Sequence, residues 1–198
     1  MKKILALVAA VMLLGGTAMA QASFGVGYIN PTHIDLKANL NGVYAGLDYN
    51  IHFTDNFGVA PGVYASYATG TKEALSALKI TATEVYVGVP VNLNYSLKLA
   101  PDFAIVLYAG PTFSYGVMSK EKGEASIAGL KADSGDYNRY DDQNYKPLDV
   151  LVGGGVAFDW AETFRVALGY NYGVLDRDAT SNGTFNRSYL HMGVAYLF

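Results

Sequence analysis

The residues of this chain with chemistry to offer are few: three histidines, some serines and a scatter of acids. His33 and Asp35 stand two apart in one polar stretch, and Ser66, Ser114 or Ser126 would complete a hydrolytic set if the fold brought one near. In such a set the acid orients the imidazole, and the imidazole takes the proton of the attacking hydroxyl. Nothing in the spacing brings these groups together, and a histidine two residues from an aspartate is a frequent coincidence. His52 and His191 fall on the polar faces of alternating segments, near opposite ends of the body those segments build. Asp133, Asp136, Asn138, Asp141 and Asp142 gather oxygen ligands of the kind calcium takes. Their spacing departs from the EF-hand template. Lys131, Arg139 and Lys146 among them make a hydrated loop the simpler reading, and calcium bound there would be held weakly. Tyr137, Tyr140 and Tyr145 in the same stretch suit a contact surface. No cysteine is present, so thiol chemistry and disulfides are excluded. No catalytic, cofactor-binding or metal-ligating residue is assigned.

The compartment and the class follow from the rest of the chain. Lys2 and Lys3, the apolar run from Ile4 to Leu14 and the small residues ending in Ala18-Met19-Ala20 have the order of a cleavable export signal. Cleavage is expected after Ala20, which divides the chain into a signal over 1–20 and one domain over 21–198. The run is too short to span a bilayer as a helix. Losing the two lysines takes the 14 basic residues to 12 against 17 acidic ones, a balance that argues against a nucleic-acid partner. Beyond the signal no apolar stretch approaches the length of a transmembrane helix. The 16 tyrosines and 22 glycines suit short strands, tight turns and aromatic belts.

Eight segments alternate with a period of two. The first, from Ser23, sets Phe24, Val26 and Tyr28 against Gly25 and Gly27. Asn41 to Phe53 sets Val43, Leu47 and Ile51 against Tyr44, Asp48 and His52, and Phe57 to Tyr67 sets Val59 and Val63 against Gly58 and Tyr64. The clearest runs from Glu84 to Lys98, with Val85, Val87, Val89, Val91 and Leu93 opposite Glu84, Tyr86, Gly88 and Asn92. Phe103 to Val117, Leu148 to Trp160, Phe164 to Leu175 and Arg187 to Phe198 repeat the pattern. Three-residue turns at Thr54-Asp55-Asn56, Ala100-Pro101-Asp102 and Ala161-Glu162-Thr163 alternate with longer polar connections over 30–40, 68–83, 118–147 and 176–186. Phe53, Phe57, Phe103, Trp160, Phe164 and Phe198 flank the short turns, while Tyr28, Tyr67, Tyr115 and Tyr172 stand at the other end. These form two girdles at the heights where amphipathic rings meet a membrane interface.

The pattern predicts an all-β fold, an eight-stranded antiparallel transmembrane β-barrel with short turns on one side and long loops on the other. A soluble, lipocalin-like ligand carrier is the competing architecture, with the apolar face turned inward. Against it, the other face carries only Asp48, Glu84, Lys98, Asp149, Asp159 and Arg165 as full charges, too few for a solvated exterior. Those charges belong in a lumen. Asp159 and Arg165 flank the last short turn and lie across the hairpin from each other if Glu162 centres it, and the other four extend the network.

On the last hairpin, Phe164 to Gly173 followed by Arg187 to Phe198, the chain resembles the small eight-stranded outer-membrane barrels of the OmpA/OmpX type and the porin-like outer membrane protein beta-barrel domain. Gly193, Tyr196 and the terminal Phe198 resemble the sorting signal of such proteins. The resemblance implies residence in the outer membrane of a Gram-negative cell. It also implies contact with its lipids and lipopolysaccharide, insertion by the barrel assembly machinery, and usually a monomer. Its motifs are specific for the architecture and not for a function. Eight strands leave an interior that side chains fill, so the expected role is a structural component or surface-loop display platform that is not a wide pore and not an enzyme, without cofactors. A surface adhesin acting through 118–147, or a lipid A-modifying enzyme using His33 and Asp35, is the alternative. Deletion of Phe198 is expected to lower the amount of folded protein in outer-membrane fractions several-fold; wild-type levels would refute recognition through this strand.

Overall fold

The computed structural model describes residues 20–33, 38–75, 78–127, 130–141, 145–178 and 185–198. Ten strands follow one another: β1 (Ala20–His33), β2 (Ala38–Asn39), β3 (Asn41–His52), β4 (Phe57–Leu75), β5 (Leu78–Ala100), β6 (Phe103–Ile127), β7 (Leu130–Asn138), β8 (Leu148–Trp160), β9 (Phe164–Gly173) and β10 (Arg187–Leu197). Eight of them form a ring in the order β1, β3, β4, β5, β6, β8, β9, β10, each antiparallel to its neighbours. β10 closes on β1 over eleven paired residues, from Ser23 opposite Leu197 to His33 opposite Arg187. The sheet therefore has no free edge through the ring, the condition for crossing a membrane with strands. β2 and β7 are additions at the long-hairpin end, paired with β1 and β6.

The alternation decides the faces as expected. The apolar set points outward: Leu93 is 66% exposed and Trp160 69%, and Val43, Leu107, Val152 and Val194 are likewise exposed. Both girdles are on the outside. An apolar surface that encircles the whole barrel is far larger than a water-soluble monomer presents, so the lipocalin-like alternative is overturned. The inward face packs by complementing rings with glycines. Tyr64 lies across Gly88, and the Tyr44 hydroxyl sits against Gly193, where a Cβ would collide with each ring. Among the described residues, Ile29, Leu151 and Tyr189 form an apolar cluster buried inside, with Tyr44 against it.

Two of the expected loops are strands. Instead of ending near Tyr67, β4 continues to Leu75 and β5 begins at Leu78, so most of 68–83 is a hairpin. Within 118–147, β6 runs on to Ile127 and β7 folds back on it. These segments are polar on both faces, which hides them from a hydrophobic pattern, yet they retain the period of two. Thr69 and Thr83 pair across the strands at 3.1 Å between hydroxyls, and Thr71 and Thr81 at 3.0 Å. Cross-strand threonines stabilise a ladder in water without an apolar face. Similarly β1 extends to His33 where a loop from Asn30 is expected, and β9 ends at Gly173 rather than Leu175.

The short turns differ in strain. In the turn from Trp160 to Thr163, Ala161 and Glu162 have φ of 52° and 51°, and the Thr163 amide donates to the Trp160 carbonyl at 3.1 Å. Two consecutive left-handed residues are the signature of a type I′ turn, which suits the twist of a hairpin but normally uses Asn-Gly. The double substitution Ala161→Asn and Glu162→Gly is expected to raise stability by about 1 kcal/mol or more, read as a higher urea midpoint of the folded, heat-modifiable gel band. A lower midpoint would contradict the turn assignment.

Candidate functional site

The lumen is closed at the long-hairpin end by charges that alternation delivers inward. Glu84 and Tyr86 are inward residues of β5, and Arg187 opens β10 two residues before inward Tyr189. Arg187 donates from Nε and Nη2 to Glu84 Oε1 at 3.0 and 2.9 Å. Its guanidinium carbon lies 4.0 Å from the centre of the Tyr86 ring. Arg177 enters from the connection after β9. Its Nη1 donates to the Tyr86 hydroxyl at 2.6 Å and to Asp149 Oδ2 at 3.4 Å, and its Nη2 donates to the Tyr145 hydroxyl. Tyr140 donates to Tyr86 at 2.7 Å, and Phe185 packs edge-on against Tyr145. Both guanidinium groups are wholly buried, with Asp149 at 0% and Glu84 at 2% exposure.

This is a seal of two layers. Strand residues Arg187, Glu84 and Tyr86 form the lower one, and connection residues Arg177, Tyr145, Tyr140 and Phe185 form the upper. Two guanidinium groups face two carboxylates, so the charges cancel, the condition for holding them away from water. Above it Arg139 pairs with Glu121. Asp176 accepts the amides of Asp178 and Phe185 at 3.0 and 2.9 Å, and those backbone bonds hold its carboxyl below the ordinary value. The clasp is thus intact at neutral pH and loosens as pH falls through that depressed value. Burial pushes the Tyr145 phenol upward, so it stays a neutral partner to Arg177.

Below the seal a cavity of about 140 Å³ is lined by Tyr44, Tyr64, Tyr108, Tyr189 and His191. Tyr108 bonds His191 Nε2 at 3.1 Å, and Asn171 lies 3.4 Å from Nδ1. Asp159 and Arg165 form a bidentate pair at 2.6 and 2.8 Å, opposite each other across the hairpin as their spacing predicts. The short-turn end opens into a vestibule of about 840 Å³ that includes His52, Lys98, Asp102 and Glu162.

Several expected placements change. His191 stands at mid-height rather than near an end, because β10 carries it four residues below Arg187's end of the strand. Lys98 is exposed at the mouth and takes no part in the lumen network formed by Glu84, Asp149 and Asp159 with their arginines. Ser66 and Ser114 are buried in the lumen, Ser114 bonded to Tyr64 at 2.9 Å, not at the rim near His33. Tyr140 and Tyr145 turn into the seal instead of forming a contact surface: the centre of the Tyr145 ring lies 4.6 Å from the Arg177 guanidinium carbon, and Tyr140 packs against Tyr145 and bonds to Tyr86. Asp133 and Asp136 belong to β7 rather than to a loop. Asn138 donates to Asp141 at 3.2 Å and accepts the Ser119 amide. Among the described residues no group of acids or histidines is placed to hold a metal ion. Asp35 and Asp142, and the side chains of His33, Ser126, Asp133, Asp136 and Tyr137, lie outside the described residues. Sequence reasoning missed both arginines of the seal. Arg187 shares its parity with Tyr189 and was legible; Arg177 carried no periodic signal.

Removing one partner of the lower layer strands a buried charge, which typically costs about 3–5 kcal/mol. Arg187→Met is expected to destabilise the barrel by that amount in urea titrations of the heat-modifiable band. Arg187→Met combined with Glu84→Leu is expected to recover most of it. An unchanged midpoint for the single variant would refute the assignment.

The family model for the outer membrane protein beta-barrel domain matches residues 9–178. A search of curated proteins finds no match. Among solved structures, the chain is similar to Ail, the attachment invasion locus protein of Yersinia pestis, at 16% identity over 90% of this chain and 99% of that one, with a TM-score of 0.47. OprG from Pseudomonas aeruginosa gives 12% identity over 93% and 98%, with a TM-score of 0.48. The outer membrane enzyme PagL gives 13% over 88% and 97%, also at 0.48. No residue role is carried across overlays this loose. On the family match, and with a closed eight-stranded ring whose exterior is apolar, the chain belongs to the outer membrane protein beta-barrel domain family and resides in the outer membrane.

Proposed function

We propose that this protein is a non-enzymatic barrel that displays an ordered β-sheet at the cell surface and conducts nothing through its lumen. The observation that carries the reading is the length of the strands beyond the upper girdle. β4 runs eight residues past Tyr67 to Leu75, a rise of about 20 Å at ordinary strand tilt. β5 and β6 extend with it, and β7 adds a fourth strand. An ordered polar sheet of this size standing in water has no use in anchoring the barrel, and the two-layer seal beneath it separates it from the lumen. The burial of Ser66 and Ser114 supports the non-enzymatic reading, because neither hydroxyl is at the outer rim.

The export signal over residues 1–20 with cleavage after Ala20, insertion by the barrel assembly machinery through the strand ending at Phe198, contact with lipopolysaccharide and a monomeric state complete the proposal. The tip between Ile127 and Leu130 then faces the medium, and the turn at Pro101 faces the periplasm. An epitope inserted at the tip is expected to bind antibody on intact cells. One inserted at Pro101 is expected to bind only after the outer membrane is permeabilised. The purified barrel in a planar bilayer is expected to give no sustained channel. Reversed labelling or stable conductance would overturn the reading.

A further inference from the structure

We infer that the lower lumen is a binding site for a small organic cation, entered from the periplasm. Three independent features converge on it. The first is shape. Among the described residues the seal closes the outer end of the cavity, while a vestibule of about 840 Å³ opens at the short turns, and the Asp159–Arg165 pair stands between the two. The second is charge. Apart from Asp159, which is paired with Arg165, the vestibule wall carries Asp55, Asp102 and Glu162 against Lys98, an acidic funnel that raises the local concentration of cations. Asp48 and Arg165 line the cavity together, so Asp48 shares the field of that guanidinium with Asp159. Arg165 is already committed to Asp159 through two bonds. Two carboxylates therefore face one guanidinium, and one negative charge is left at the cavity floor. The seal, by contrast, is neutral.

The third feature is the wall. Asp48 lies within electrostatic reach of Tyr44 and Tyr108. Tyr44, Tyr64, Tyr108 and Tyr189 line the cavity together with His191, whose imidazole packs 6.0, 6.3 and 5.8 Å from the ring centres of Tyr44, Tyr108 and Tyr189. Several aromatic rings about one space, with a carboxylate beside them, recognise an alkylated ammonium group by cation–π attraction and charge together. The cavity of about 140 Å³ is close to one that holds benzene, so the ligand has roughly five to eight heavy atoms. An anion is disfavoured by the surplus carboxylate. This inference is independent of what the outer sheet does.

The test uses the full-length barrel refolded in detergent micelles with ring-labelled tyrosine, observed by NMR. Tetramethylammonium is titrated in, and tert-butanol, a neutral molecule of similar shape and size, serves as comparator. Outward Tyr67, Tyr115 and Tyr172 are the internal reference. The expected result is a saturable shift of lumen tyrosine resonances by tetramethylammonium and none by tert-butanol. In Asp48→Asn the affinity is expected to fall about tenfold or more. No saturable shift, or an equal response to tert-butanol, would overturn the site. An Asp48→Asn barrel that folds and binds as well as wild type would remove Asp48 as the counter-ion and overturn the charge argument. If that variant does not fold, the comparison of the two probes on the wild-type protein still decides.

Discussion

Every backbone N–H and C=O group within the hydrocarbon must find a partner in the protein, and the rest of this structure follows from that requirement. The pairing of β10 with β1 meets it by removing the two edges that an open sheet would expose. Closure at eight strands then sets the width of the interior, which is just enough for side chains. The lumen is therefore a packing problem. The chain solves it with glycines where rings lie, as at Gly88 beneath Tyr64, and with charges that for the most part meet an opposite charge.

The charged groups are distributed unevenly, and the difference separates two halves of the interior. At the outer end Arg177 and Arg187 are matched by Glu84 and Asp149 and further shielded by Tyr86 and Tyr145. Ion pairs so deeply buried contribute little net stability relative to an apolar core. Their service is specificity: Arg177 draws the connection after β9 into the barrel mouth and so converts a loop into part of the seal. At the inner end the compensation is incomplete, since Asp48 and Asp159 share Arg165, and the walls there are tyrosine rather than arginine. One end is built to exclude water and ions, and the other leaves room.

The outer sheet obeys different physics. Above the girdle the strands no longer need the membrane to impose hydrogen bonding, because water would satisfy any loop. That β4, β5, β6 and β7 stay paired there reflects cross-strand contacts such as those of Thr69 with Thr83 and Thr71 with Thr81. The result is a stiff projection continuous with the barrel wall, which positions residues far from the membrane without the entropy of a flexible loop.

The sequence alone determined the strand number within the membrane, the lipid-facing side, the girdles and the pairing of Asp159 with Arg165. Each of these depends on parity along a strand or on the length of a turn, and both are local. Tertiary structure decided the rest. The polar hairpins look like loops to a pattern that counts apolar residues, although the period of two persists through Thr81 and Thr83. Arg177 lies in an irregular segment, so nothing local says that it turns inward. Its partners Asp149 and Tyr86 come from other strands and meet it only when the ring closes. The surplus charge at Asp48 likewise exists only once Asp159 and Arg165 are in contact. Local periodicity is written residue by residue, whereas charge compensation inside a barrel is a property of all eight strands together.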